Sequence, residues 1–102
     1  MNNKFSPKQP YEAYYVQFPF AKDLESDGIA SAVVTATNND TGADATSTVT
    51  TAAKQVILGK SVFVWVKAGV SGTDYKITCR IVADDDNGSQ YEKDGLLPVL
   101  EG

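Results

Sequence analysis

Apolar and polar residues alternate with a period of two through much of this chain, and that period predicts strands. In "YEAYYVQF", residues 11–18, Tyr14, Val16 and Phe18 share one face while Tyr11, Ala13, Tyr15 and Gln17 share the other. Aromatic and β-branched side chains suit such a pleated surface. "IASAVVTAT" at 29–37 is a second strand, stopped by the turn-forming "NNDTG". The clearest alternation is "YKITCRIVA" at 75–83, with Tyr75, Ile77, Cys79 and Ile81 facing a core and Lys76, Thr78 and Arg80 facing away. "DDDNGS" at 84–89 carries Asn-Gly, a strong hairpin signal, so residues 90–99 are expected to return antiparallel. Gly95 and Pro98 predict a bulge or an edge near the end of that last strand.

Other segments are less decided by pattern. "SVFVWVK" at 61–67 is apolar on both faces, so alternation does not say which face is core. Either Val62, Val64 and Val66 point inward and leave Phe63 and Trp65 to form an outer patch with Tyr11 and Tyr15, or Trp65 is itself the core residue. The Ala/Thr-rich stretch 43–53 predicts a short edge strand over Ser47–Thr51, followed by another at Gln55–Leu58. Pro19, three acids and Gly28 make 19–28 a loop with one helical turn around Lys22–Glu25. Residues 1–10 hold Pro7 and Pro10, two Lys and no acid, and read as an extended arm leading into one domain at 11–102. About seven short antiparallel strands without a long helix predict an all-β sandwich of immunoglobulin-like or fibronectin-III-like type, with a small barrel as the next choice.

Composition narrows the chemistry. A chain of 102 residues is the size of one domain. Its single Cys cannot close an internal disulfide, and Cys79, between Ile77 and Ile81, reads as a small buried hydrophobe. There is no His, which removes the usual general base and the Ser/His and Cys/His pairs. A net charge of −4 disfavours nucleic acid. The longest apolar run, "VFVWV", is far short of the roughly 20 residues that span a bilayer, and the N-terminus has no signal-peptide core. Asp84, Asp85 and Asp86 lack the alternate spacing of a calcium loop. Asp23, Glu25 and Asp27 lack an aromatic sugar platform beside them, and the turn with Gly69, Gly72 and Lys76 opens onto a strand where a phosphate loop opens onto a helix. No catalytic, cofactor-binding or metal-ligating residue is therefore expected. Tyr14, Val16, Phe18, Tyr75, Ile77 and Cys79 are expected to be structural. Lys4, Lys8, Tyr11, Tyr15, Phe63 and Trp65 are the candidates for interaction.

Two resemblances add to this reading. The Gly72-Thr73-Asp74-Tyr75 run before the penultimate strand resembles the tyrosine corner of Greek-key sandwiches. Over residues 12–101 the chain resembles a family of small tailed-bacteriophage proteins known as phage fibre-tail adaptors. Tyr14, Val16 and Phe18 match its first element, Asp27, Ile29 and Ser31 its second, and Val64, Trp65 and Val66 its apolar strand. Gly69, Gly72, Thr73, Tyr75 and Ile77 follow, and Glu101 closes the pattern. The resemblance implies a non-enzymatic virion protein without cofactor, assembled in the host cytoplasm. It would join other virion proteins in the neck, tail or fibre-attachment region in several copies, without nucleic acid or membrane as partner. The competing expectation is an immunoglobulin-like module that binds a ligand or carbohydrate through an exposed aromatic platform beside loop carboxylates.

Overall fold

The computed structural model describes residues 3–101. Two sheets account for most of the chain. One has the order β1-β7-β6-β3, formed by β1 (Asn3–Lys4), β7 (Gln90–Val99), β6 (Thr73–Ala83) and β3 (Ile29–Asn38). The other has the order β2-β5-β4, formed by β2 (Tyr14–Pro19), β5 (Ser61–Val66) and β4 (Val56–Leu58). All pairs are antiparallel except β1 with β7, which is parallel.

The sheets bury one common core, to which β2 and β5 supply Val16, Phe18, Val62, Val64 and Val66. The larger sheet supplies Ala36, Tyr75, Ile77, Cys79, Ile81, Ala83, Leu97 and Val99. Apolar burial of this kind contributes about 25 cal/mol per Å² removed from water, the main favourable term for a chain without staples. The inward valines of β5 settle what alternation left open: Phe63 and Trp65 lie on the outer face. Tyr14 is half-buried against the rim of the core.

The hairpin at 84–89 forms through its own side chains. Ser89 N–H and Oγ donate to the Asp85 carboxylate at 2.8 and 2.6 Å, and Gly88 takes the positive φ of 63° that the turn requires. Asp84 accepts a 2.8 Å bond from the Gly28 amide, which ties this tip to the loop after α1 (Ala21–Leu24), the helical turn that buries Leu24.

Four expectations need correction. The first strand begins at Tyr14; Tyr11 is 98% exposed, beyond a turn closed by Glu12 N–H on the Gln9 carbonyl. Ser47–Thr51 is not an edge strand, because Thr46–Val49 forms a helical turn, α2, that sends Val49 into the core, and only Thr50 keeps a single bridge to Val66. Thr46 Oγ1 stands beside Ala36 N–H at 2.9 Å and accepts its hydrogen, so this turn covers the far half of the β3 edge.

Gly95 makes no bulge: the β6–β7 register runs unbroken from Thr73↔Val99 to Val82↔Gln90. A Cβ at Gly95 would stand 2.3 Å from the Phe5 ring, so glycine is there to admit that ring. Phe5 packs edge to face on Phe18, with centroids 5.5 Å apart.

The arm is no lead-in outside the sheets. It runs along β7 with Phe5 N–H on Leu96 O, Lys8 N–H on Pro98 O and Leu100 N–H on Lys8 O, at 2.8–2.9 Å. Pro98 lacks an N–H, yet its carbonyl still serves the ladder.

Candidate docking face

The outer face of the β2-β5-β4 sheet is built by register. Tyr15 stands opposite Trp65, Gln17 opposite Phe63, and Phe63 in turn opposite Val56, with Leu58 opposite Ser61. Directly opposed residues share a face, so Tyr15, Phe63, Trp65, Val56 and Leu58 form one continuous surface. Tyr15 packs edge to face on both partners, at centroid distances of 4.9 Å to Trp65 and 6.5 Å to Phe63. Its hydroxyl donates to the Lys54 carbonyl at 2.8 Å, and the Lys54 ammonium lies 4.2 Å from the Trp65 ring centre. The aromatic group is thus held rigid by a main-chain bond and a cation–π contact. Val56 and Leu58 are 41% and 66% exposed, an apolar surface of the sort that marks contact sites.

The edge of this sheet is open as well. Phe20 N–H donates to Lys60 O, which continues the β2–β5 ladder through even-numbered residues. Tyr15 and Gln17 therefore turn their N–H and C=O groups away from β5. Among the described residues no main-chain bond uses them.

The expected interaction residues divide. Tyr15, Phe63 and Trp65 come together. Tyr11 stands apart in the 9–12 turn, and Lys4 is exposed on β1. Lys8 is not a surface contact. It is fully buried, and its ammonium donates to the carbonyls of Gln9, Pro10 and Glu12 at 2.6, 3.3 and 2.8 Å. Burial pulls its pKa below the ordinary lysine value, partly opposed by Glu12. Lys54, Val56 and Leu58 were missed by pattern alone. The signal for the last two was the register of a three-residue strand, visible only once β4 is paired.

Of the residues expected to be structural, Val16, Phe18, Tyr75, Ile77 and Cys79 sit inside and Tyr14 lies at the rim. Cys79 is fully buried, and desolvation pushes its thiol up to about 12. Tyr75 is 4% exposed, and its hydroxyl accepts the Val70 N–H at 3.0 Å, tying the turn that precedes β6. Gly69, at φ 97°, lies under that ring, where a Cβ would come within 3.2 Å of it.

The opposite sheet carries a groove of about 480 Å³ lined by residues that include Val33, Arg80, Gln90 and Glu92, and spanned by the Arg80–Glu92 ion pair. No group of three or more His, Cys, Asp or Glu arranged to hold a metal occurs among the described residues, and none of their helices is long and apolar enough to cross a membrane.

The family described as "Podophage GP4 fiber-tail adaptor protein gp77" matches residues 8–94. The chain belongs to this family. The match includes β2 to β6, the whole aromatic face and the Tyr75 turn, and places the protein among structural adaptors of phage tails. No curated protein and no solved structure matches the chain.

Proposed function

We propose that this adaptor is a non-enzymatic virion protein that joins neighbouring proteins at the fibre-attachment region, and that the outer face of β2-β5-β4 is its contact surface. The observation that carries the reading is a packed face, with Tyr15, Val56 and Leu58 exposed and Phe63 and Trp65 half-buried, beside an open strand edge in a chain of the fibre-tail adaptor family. Trp and Tyr are favoured anchors in protein interfaces because each brings large area at little rotamer cost.

We read the fold as immunoglobulin-like. The orders β4-β5-β2 and β3-β6-β7 correspond to D-E-B and C-F-G of that sandwich, and Tyr75 occupies the tyrosine-corner place at the start of β6. On this reading the domain runs from 11 to 102 after an arm at 1–10, whose described residues 3–10 are strapped onto the last strand.

The carbohydrate-module reading has less support. A sugar platform needs an open ring face with carboxylates beside it, whereas Lys54 lies over Trp65 and the loop acids belong to the 23–27 and 84–86 turns.

The test is complementation of a phage lacking this gene with Leu58→Asp and Trp65→Ser. Leu58 is mostly exposed, so its variant leaves the core intact. Particles that assemble tails but lose fibres support the proposal; fully fibred particles from both variants overturn it.

A further inference from the structure

The arm covers β7 but is not connected to it. Residues 3–8 lie on that strand in parallel register, Asn3 beside Gly95 and Lys4 beside Leu96, with a last bridge from Lys8 to Val99. The Phe5 ring fills the place that Gly95 keeps clear. Along the chain, however, the arm runs into β2 of the other sheet through residues 9–13. Among the described residues, every hydrogen bond of that connection stays within residues 8–12. Three of these bonds, all made with Glu12, hold it folded back: Glu12 N–H on Gln9 O at 3.0 Å, Gln9 N–H on Glu12 Oε1 at 2.7 Å, and Lys8 Nζ on Glu12 O at 2.8 Å. Tyr11, in its middle, leaves almost the whole ring in water, and Pro10 biases the residue before it toward extended backbone.

We propose that the β7 site receives the arm of a second copy of this chain, so that two copies exchange residues 3–8 and close into a dimer. The structure names the occupant, because the strand and ring that fit beside Gly95 are those of this sequence. An identical arm from a neighbour makes the same bonds from Phe5 and Lys8 to β7 and the same contact of Phe5 with Phe18. The difference between the closed chain and the exchanged pair is confined to residues 9–13. There the bonds with Glu12 are given up, and the two connections run past each other, which brings together Tyr11 rings that are bare on the single chain. Exchange of identical elements is a low-cost route to a dimer for this reason. The closed arm competes at an effective concentration of about a millimolar, as short linkers do, so copies held close together are the ones that exchange. The inference does not depend on the outer face of β2-β5-β4, which belongs to the other sheet.

The experiment uses the full chain. One protein carrying Lys4→Cys and another carrying Leu96→Cys are mixed in urea, refolded together at about 1 mM, the range where exchange competes with closure, and oxidised mildly. Both positions lie outside the core cluster, and the native Cys79 is buried. Lys4→Cys mixed with Asp40→Cys, an exposed turn position away from β7, measures chance collisions. The disulfide-linked pair of chains is expected at about tenfold or more over that control, the ratio that a preference of 1.4 kcal/mol produces. A second mixture joins Phe5→Ala, whose Gly95 site is vacant, with Gly95→Ala, whose Phe5 has no site of its own. Sedimentation velocity is expected to show a one-to-one heterodimer in the mixture and monomer for each variant alone, because only exchange returns Phe5 to a Gly95. Should either variant fail to fold, the cysteine pair decides. A yield at the collision level overturns the inference, as does a mixture of folded variants that stays monomeric. Fibre loss in Trp65→Ser particles is a separate readout, so failure here does not decide the adaptor reading.

Discussion

Gly95→Ala tests the account of the arm most directly. Gly95 has no positive φ, so its backbone accepts any residue, and strand geometry alone would favour Ala by roughly 0.5–1 kcal/mol. The added Cβ, however, would meet Phe5 Cε2 at 2.3 Å and Cζ at 2.6 Å, both far inside contact distance, and Phe18 backs the ring from the other sheet. The ring must leave. Half-burial of a Phe is worth about 1–2 kcal/mol, and its edge-to-face pair about 0.5–1.5 more. With the propensity gain set against these, Gly95→Ala should cost about 2 kcal/mol. For a domain of this size that lowers the melting temperature by roughly 8–16 °C. Urea unfolding followed by Trp65 fluorescence measures it. The decisive comparison is a double-mutant cycle: once Phe5→Ala has removed the ring, adding Gly95→Ala should cost nothing and regain roughly 0.5–1 kcal/mol. If Gly95→Ala costs the same 2 kcal/mol or so in both backgrounds, glycine is not there for Phe5 and the argument fails.

Three further outcomes are expected. Tyr75→Phe removes the acceptor of the Val70 N–H and should cost about 1 kcal/mol in urea unfolding; unchanged stability would remove Tyr75 from the corner role. With its pKa pushed up to about 12 by burial, native Cys79 should resist iodoacetamide at mildly alkaline pH and react only as the chain opens, so rapid labelling of folded protein would contradict its place in the core. The bonds from Ser89, side chain first and then main chain, hold Asp85 below its ordinary 3.8. A depressed carboxylate stabilises the fold above the unfolded pKa and loses that effect as pH falls through the folded one. The Ser89 amide should accordingly titrate in NMR with a midpoint under 3.8, and a midpoint at or above it would refute the turn's bonding.

How much could be read without the structure depended on whether the information was local. β6 was legible because from Tyr75 to Ile81 its residues are polar or apolar according to their own face. β5 was not, since Val62–Val66 is apolar on both sides and only pairing with β2 shows the valines inward. The Thr46–Val49 turn was hidden by residues that suit strand and helix alike; what decides it is the Thr46 side chain reaching Ala36 ten residues earlier. Lys8 misled because two prolines and a charge ordinarily mean solvent, and no local signal announces three carbonyls converging on one ammonium. Phe5 and Gly95 are paired across nearly the whole chain, beyond any periodicity. The aromatic face was half legible: Tyr15, Phe63 and Trp65 follow from parity, but Lys54 joins them through a 3-10 turn (Ala52–Lys54) that composition does not specify.

The strapped arm also has a place in time. Its contacts join the first residues to the last strand, the longest loop closure the fold has to make, and such contacts form after the local hairpins that prepare them. The same contacts are few, so the arm is the part expected to open before the sandwich does. Opening would bare the β7 edge and the notch over Gly95 together, a matched slot for one strand and one ring. The Lys8 ammonium gathers the carbonyls of Gln9, Pro10 and Glu12 at the root of the arm, which gives the arm one definite seat on the last strand.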